Sequence, residues 1–186
     1  GLSLLSGHSL SVLIFHRVLP APDPIFPDEV DAARFDHLMA IVARSFQVLP
    51  LGRAVQLLDE GRLPPRALCI TFDDGYADNH DLALPILKRH GLSATFFIAT
   101  GFLGGGRMFN DTVIESVRRA TVRRVDLGDL GLGAFDLETP PQRRAAIEAL
   151  LPLIKYMGLD ERPRALARLE QLCRPKSLPD DLMMTE

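Results

Sequence analysis

The chain has 186 residues, 47% of them hydrophobic and 24% charged, which is enough apolar sequence for a sizeable buried core. It carries 21 basic and 24 acidic residues, and the basic residues form no long run, which excludes the electrostatic footprint of a nucleic-acid-binding protein. No apolar run approaches the ~20 residues that cross a bilayer, so no membrane span is predicted. Cys69 and Cys173 lie far apart, with no Cys-x-x-Cys spacing, and this predicts reduced core thiols rather than a disulfide framework or a zinc knuckle.

Residues 1–102 alternate strand and helix patterns. The run SVLIF at 11–15 is typical of a short strand, and apolar residues then recur at helical spacing behind a candidate cap at Asp31. Such an order of strands and helices requires a parallel sheet or barrel. The remaining predicted elements are strands at 46–49, 67–72 and 94–99, a helix around 54–58 and a helix that ends near Gly91.

The pattern changes beyond Gly101, because strand patterns largely vanish and helices take over. One helix is predicted around 114–117 and another over 139–157, where Thr139 and Gln142 form a capping box and two prolines occupy the first turn. A third is predicted over 160–173. The chain is therefore interpreted as a β/α part, 1–102, and a helical insertion or extension of the same domain, 103–186. The fold class is α/β with parallel strands, followed by a mainly helical segment.

The stretch ALCITFDDGY, residues 67–76, ends an apolar strand on two adjacent acids. Functional groups of parallel α/β folds collect where strands end, so Asp73 and Asp74 are candidate site residues. A bend at Gly75 would let both enter one site, with one carboxylate on a metal and the other acting as a base. The alternative is that one of them caps the following helix. The Asp-x-Asp pattern of haloacid dehalogenase-like phosphatases is not matched, since Gly75 stands where the second acid belongs.

His16 is the histidine with the strongest claim to a function. It directly follows the strand SVLIF, the same position that Asp73 occupies after ALCITF. Because parallel strands present their carboxyl ends on one side, His16 and the two acids are expected to face one cleft. The alternative is a hydrogen-bonded histidine at a strand end. His37 on a polar helix face and His90 at a helix C-terminus have structural explanations.

The segment Thr71-Phe72-Asp73-Asp74-Gly75 resembles the first motif of the polysaccharide deacetylase family, also called the NodB-homology or carbohydrate esterase 4 family. ITFDDGYADN and ATFFIATGF extend the similarity over residues 10 to about 115. The resemblance implies a deformed (β/α) barrel, of which residues 1–102 would be the N-terminal half. It also implies removal of acetyl groups from a polysaccharide or N-acetylated sugar. By the same resemblance Asp73 is the general base and Asp74 is a ligand of a divalent metal, with zinc expected.

The family also requires a His-Ser/Thr-x-x-His motif that supplies two further metal ligands. This chain lacks the motif, because its histidines stand at positions 8, 16, 37, 80 and 90 and no two are four apart. The catalytic machinery is therefore expected to be incomplete in this chain, which is interpreted as the N-terminal part of the enzyme. Some family members carry their last motif ahead of TFDDG, and Phe15-His16-Arg17-Val18 resembles that arrangement, which implies that His16 is the catalytic acid.

Two further expectations concern partners. Residues 103–186 are expected to expose an apolar surface that a missing part of the protein, or another copy of the chain, covers. The rival interpretation of the whole chain is a non-catalytic carbohydrate-binding or assembly module that keeps the deacetylase fold. The sequence leaves the cellular compartment open.

Overall fold

A computed structural model of the chain describes residues 9–185. Their helices and strands belong to two compact units. The first unit takes the described residues up to 23, 28–104 and those from 183, and the second takes 24–27 and 105–182. The interpretation of 1–102 as a barrel half and 103–186 as a helical insertion or extension stays a prediction. Within the described residues, no helix combines the length and hydrophobicity needed to cross a membrane.

The first unit is built around a small parallel sheet. Strand β3 is central: β1 pairs with it along one edge, in register from Ser11 opposite Leu68 to Phe15 opposite Phe72. β2 and β4 pair with its other edge, β2 near the start of β3 and β4 near its end, both in the parallel sense. The elements are β1 (Ser11–Phe15), α1 (Ala32–Ser45), β2 (Gln47–Val48), α2 (Leu51–Asp59), β3 (Ala67–Phe72), a π-helical turn (Asn79–Ala83), α3 (Leu84–Arg89), β4 (Thr95–Phe96) and a 3₁₀ turn (Thr100–Phe102).

The predicted fold class, α/β with parallel strands, is confirmed. All six residues of β3 are buried, as expected for a strand of a parallel sheet that is covered on both faces. Four aromatic rings anchor the sheet against α1: Phe72 stacks on Phe15 at 5.4 Å and on Phe96 at 4.9 Å, and Phe35 of α1 meets Phe72 at 5.8 Å. Asp31 caps α1 by accepting hydrogen bonds from two backbone amides, also as predicted. The parallel sheet that these strands form is open in the part of the chain that the structure describes.

The strand predicted over 94–99 is shorter in the structure, where only Thr95–Phe96 pair as β4. The amide of Phe97 still donates to Phe72 O at 2.8 Å, and that of Ala99 donates to Asp74 O at 3.1 Å. The second of these bonds is made to the turn that follows β3. The ladder between β3 and β4 therefore ends where β3 ends, although the apolar run of residues 94–99 continues.

The second unit is mainly helical but contains a β-hairpin. Strands β5 and β6 pair in the antiparallel sense around a turn in which Gly131 has φ +71°. The sequence prediction missed this hairpin, because three-residue strands carry too few side chains for an alternating pattern. Helix α5 begins at the predicted Thr139–Gln142 capping box. The elements are α4 (Phe109–Arg118), β5 (Arg124–Asp126), a 3₁₀ turn (Gly128–Leu130), β6 (Ala134–Asp136), α5 (Pro140–Lys155) and α6 (Glu161–Cys173).

Both cysteines are buried and free, which confirms the prediction of reduced core thiols. The core of the second unit packs the hairpin against the buried sides of α4, α5 and α6. Some apolar side chains of this unit remain exposed. The most exposed lie at the end of α5 and in the turn after it: Leu153, Tyr156 and Leu159.

Candidate active site

The chain turns sharply directly after β3. Asp74 has φ +74° and Gly75 has φ +79°, so two consecutive residues lie in the left-handed region. Aspartate tolerates this region better than most residues with a side chain, yet such a conformation still costs energy and is typical of functional sites. Gly75 is also required sterically, because a Cβ there would lie 3.0 Å from Ile98 Cγ2. The predicted bend is confirmed, and it involves Asp74 as well as Gly75.

This turn, residues 73–76, is held by backbone hydrogen bonds from three directions. The amide of Asp73 donates to Phe15 O of β1 at 2.9 Å, and Asp74 O accepts from Ala99 N, beyond β4, at 3.1 Å. Gly75 O accepts from Met184 N at 2.9 Å, so the last described residues contribute as well. The loop is therefore a braced turn between strands.

The two carboxylates of the turn are half-buried. Among the described residues, neither Asp73 nor Asp74 makes a side-chain hydrogen bond or ion pair, and the helical segment that follows has no side-chain cap bond. The capping explanation is therefore wrong for both acids. Their oxygens are left for a substrate, a water molecule or an ion, which is the condition that a catalytic role requires.

His16 follows β1 as Asp73 follows β3. The two strands pair in register up to Phe15 opposite Phe72, so His16 and Asp73 are the next positions on neighbouring parallel strands. The predicted pairing of these strands at one sheet edge is confirmed. His16 is exposed, and its ring makes no hydrogen bond to a described residue, so it is not the hydrogen-bonded strand-end histidine of the alternative explanation.

Of the other histidines, two pair with an acidic side chain, one is exposed and one lies outside the described residues. His90 Nε2 lies 2.6 Å from Asp36 Oδ1, a contact that joins α3 to α1. His80 is paired with the acid that follows it, at 2.8 Å. His37 is exposed, and His8 lies outside the described residues.

Asp78 is a site-adjacent residue that the sequence reasoning missed. Its carboxylate accepts from Arg17 Nε at 2.8 Å and from Val18 N at 3.3 Å. The Arg17 guanidinium lies 4.7 Å from the ring centre of Tyr76. Burial raises the pKa of Asp78, and the positive charge of Arg17 opposes that shift. The only sequence signal was a polar Asp-Asn pair one helical turn after the acids.

Asn79 was missed as well. It is fully buried, and its Nδ2 donates to His16 O at 2.9 Å and to Asp78 Oδ1 at 3.1 Å. Its Oδ1 is buried and has no hydrogen-bond partner among the described residues. Asn79 also begins the π-helical turn, a feature often found at functional sites.

The donor set for a metal is incomplete in the described part of the chain. Within residues 9–185, no three His, Cys, Asp or Glu side chains are grouped so that they could hold an ion. Asp73 and Asp74 supply carboxylate oxygens, but a protein zinc site needs at least three protein ligands. The residues present therefore do not by themselves fit a zinc ion.

A parallel α/β sheet with unpaired carboxylates and a histidine at its strand ends has the architecture of an α/β enzyme site. Residues 60–127 match the polysaccharide deacetylase family, a stretch that contains the Asp73-Asp74-Gly75 turn. The resemblance predicted from the TFDDG motif is confirmed for this part of the chain.

Two curated proteins are each similar to about half of the chain. YxkH of Bacillus subtilis (strain 168), a polysaccharide deacetylase by name, is 30% identical over 96 residues, which is 51% of this chain and 33% of YxkH. The poly-beta-1,6-N-acetyl-D-glucosamine N-deacetylase of Staphylococcus epidermidis is 26% identical over 95 residues, 51% of this chain and 33% of that protein. The chain thus spans about a third of the length of these relatives.

Among solved structures, IcaB from Ammonifex degensii is 26% identical, with a TM-score of 0.46 over 54% of this chain and 42% of IcaB. A Streptococcus pyogenes deacetylase, PplD, solved with acetate, is 24% identical, with a TM-score of 0.46 over 51% of this chain and 44% of PplD.

Proposed function

We propose that the protein to which this chain belongs hydrolyses the N-acetyl groups of a polysaccharide or another N-acetylated sugar. One observation carries the proposal: the turn that matches the family, Asp73-Asp74-Gly75, lies at the carboxyl end of β3 with its carboxylates unpaired, next in register to His16. The Staphylococcus epidermidis relative, by its name, acts on a β-1,6-linked N-acetylglucosamine polymer, so that polymer is the first substrate to test.

The roles of the residues follow from the chemistry of amide hydrolysis. Asp73 accepts a proton from the water molecule that attacks the acetyl carbonyl carbon. His16, protonated, donates a proton to the sugar nitrogen as the carbon–nitrogen bond breaks. The products are acetate and a free amine. An acid and a base on opposite sides of the scissile bond need a gap for the substrate, and among the described residues no hydrogen bond joins the His16 ring to Asp73.

Asp74 is proposed as one ligand of a divalent metal, with zinc expected. The two histidine ligands that the family uses are not in this sequence, so they would have to come from elsewhere in the protein. We therefore expect the 186-residue chain alone to bind zinc weakly and to lack useful deacetylase activity. Calorimetric titration with zinc checks the first expectation, and submicromolar affinity would contradict it.

The test of the function is acetate release from β-1,6-linked N-acetylglucosamine oligosaccharides by the full-length protein. His16→Ala should reduce turnover by about 10²- to 10⁴-fold, the usual contribution of a general acid, and leave metal content intact. Asp74→Ala should lose both metal and activity, whereas Asp73→Asn should lose activity alone. His37→Ala and Asp59→Asn are matched controls, because both side chains are exposed on helices of the same unit.

The assay also separates the enzyme from its rival. A full-length protein that binds the oligosaccharide but releases no acetate, with or without added zinc, would instead be the carbohydrate-binding or assembly module. Unchanged turnover in His16→Ala would remove the acid assignment while leaving the deacetylase proposal in place.

The second partner that we propose is another copy of the same chain, with which the protein would form a homo-oligomer. Leu153, Tyr156 and Leu159 leave apolar surface exposed in the second unit. Sedimentation velocity over a range of concentrations tests this, and a strictly monomeric protein would contradict it.

A further inference from the structure

We infer that Asn79, aided by Asp78, is a positioning residue that holds His16 at the edge of the site; the inference rests on the acid role proposed for His16. Asn79 Nδ2 donates to the backbone oxygen of His16 at 2.9 Å across 63 positions of sequence. Asp78 holds the next two residues, through Arg17 Nε and Val18 N. The side chains of Asp78 and Asn79 thus form hydrogen bonds with three consecutive residues, 16–18, of the segment that carries the proposed acid.

These contacts lie outside the paired part of the strands. The end of β1 is already held by the parallel ladder, whose last bond runs from Asp73 N to Phe15 O at 2.9 Å. The bonds from Asn79 and Asp78 begin only at His16, after the strand has ended. His16 itself is exposed and its ring makes no bond to a described residue, so beyond the end of β1 its main chain is fixed by Asn79, Asp78 and the burial of Val18.

The burial of Asn79 supports a role beyond simple packing. Its side chain is fully buried, and its Oδ1 has no hydrogen-bond partner within residues 9–185. A buried acceptor without a partner is unfavourable, and an apolar residue of similar size would avoid it. The amide is useful at this position because Nδ2 reaches two acceptors at once, His16 O and Asp78 Oδ1. Asn79 is also the first residue of the π-helical turn.

The braced turn, residues 73–76, carries the proposed base and is followed within three residues by Asn79, so the bonds from Asn79 and Asp78 connect both sides of the site. Asp73, at its start, lies only six positions before Asn79 in the sequence. The bond from Asn79 to His16 O therefore fixes the main chain that carries the proposed acid relative to the segment that carries the proposed base. Displacement of a catalytic group by about 1 Å can cost about 10²-fold in rate, which sets the scale of the expected effect.

The experiment compares Asn79→Ala with Asn79→Leu in the full-length protein. Asn79→Leu keeps a side chain of similar size, buries no unpaired polar atom or charge at this fully buried position, and cannot donate to His16 O. Amide ¹⁵N relaxation should show the order parameter of His16 falling from about 0.85 to below about 0.6, while Ser11–Phe15 stay rigid. With the N-acetylglucosamine oligosaccharide, kcat should fall about 10- to 100-fold with KM nearly unchanged. Thr139→Ala, which removes the cap of α5, is the control and should change neither quantity.

The two readouts keep this inference separate from the proposed function. If the wild-type protein is inactive, the deacetylase proposal fails, yet a mobile His16 in either variant still supports the positioning role. The inference is overturned if the His16 order parameter is unchanged in both variants. It is also overturned if His16 becomes mobile in an active enzyme whose kcat does not fall.

Discussion

Replacing Gly75 by alanine should destabilise the first unit strongly, for two reasons that the structure separates. Its φ of +79° lies in the left-handed region, which costs a residue with a Cβ about 1–2 kcal/mol. The new Cβ would also lie 3.0 Å from Ile98 Cγ2 and 3.3 Å from Ile98 Cα. Since Ile98 Cα belongs to the backbone, the contact cannot be relieved by a rotamer change alone, and overpacking of this kind costs about 1–3 kcal/mol. The sum is about 2–5 kcal/mol.

Two other glycines of the same unit isolate these terms. Gly61 has φ +65° with open space around it, so Gly61→Ala carries the conformational cost alone, about 1–2 kcal/mol. Gly52 lies in α2 with open space and no positive φ, so Gly52→Ala should stabilise the protein by about 0.5–1 kcal/mol. The three variants should therefore rank Gly52→Ala, Gly61→Ala, Gly75→Ala from most to least stable.

Urea unfolding followed by tyrosine fluorescence measures this order. The chain has only two tyrosines, and a Tyr156→Phe background leaves Tyr76, buried in the first unit, as the sole reporter. With a urea m-value of about 2 kcal/mol per molar, Gly75→Ala should lower the midpoint by about 1–2.5 M. A midpoint for Gly75→Ala equal to that of Gly61→Ala would refute the close approach of Ile98 to the turn.

Two further predictions concern titratable groups. Burial raises the pKa of the Cys173 thiol to about 12 and also raises the pKa of the Cys69 thiol. Neither thiol should therefore react with Ellman's reagent at pH 8 until denaturant is added. Rapid labelling of the native protein would contradict this. The hydrogen bond from His90, followed by that from Arg89, lowers the pKa of Asp36 below its usual 3.8. Its contribution to stability is therefore present above that usual value and is lost as the pH falls through the lowered one. Asp36→Asn should unfold at a higher pH than wild type in an acid titration followed by circular dichroism, and an unchanged midpoint would show that the contact contributes nothing.

Local sequence patterns predicted most elements of the first unit and several of the second. The apolar run of β3, the Asp31 cap of α1 and the Thr139 capping box of α5 each leave a signature within a few neighbouring residues. The β5–β6 hairpin and the early end of β4 were not predicted, because three-residue strands and a ladder limited by its partner leave no such signature. Hydrogen-bond partners, rather than propensity, decide where these strands begin and end.

Some residues of the candidate site could also be predicted from the sequence, and others could not. Asp73, Asp74 and His16 could be selected from the sequence because each directly follows an apolar strand, and parallel pairing then brings the strand ends together. Their roles as base, metal ligand and acid stay predictions. Asp78 and Asn79 could not be selected, because nothing local shows that they reach residues about 60 positions earlier.

The sequence by itself determined the alternation of strands and helices, the parallel sense of the sheet and the position of the acids at a strand end, since these depend on short-range periodicity and chain order. Tertiary structure alone decided that Met184 braces the turn at Gly75, that Ile98 excludes a side chain there, and that Asn79 holds His16. These contacts join residues distant in the chain, and their energy depends on distance and burial in the folded protein. No pattern of neighbouring residues encodes those two quantities.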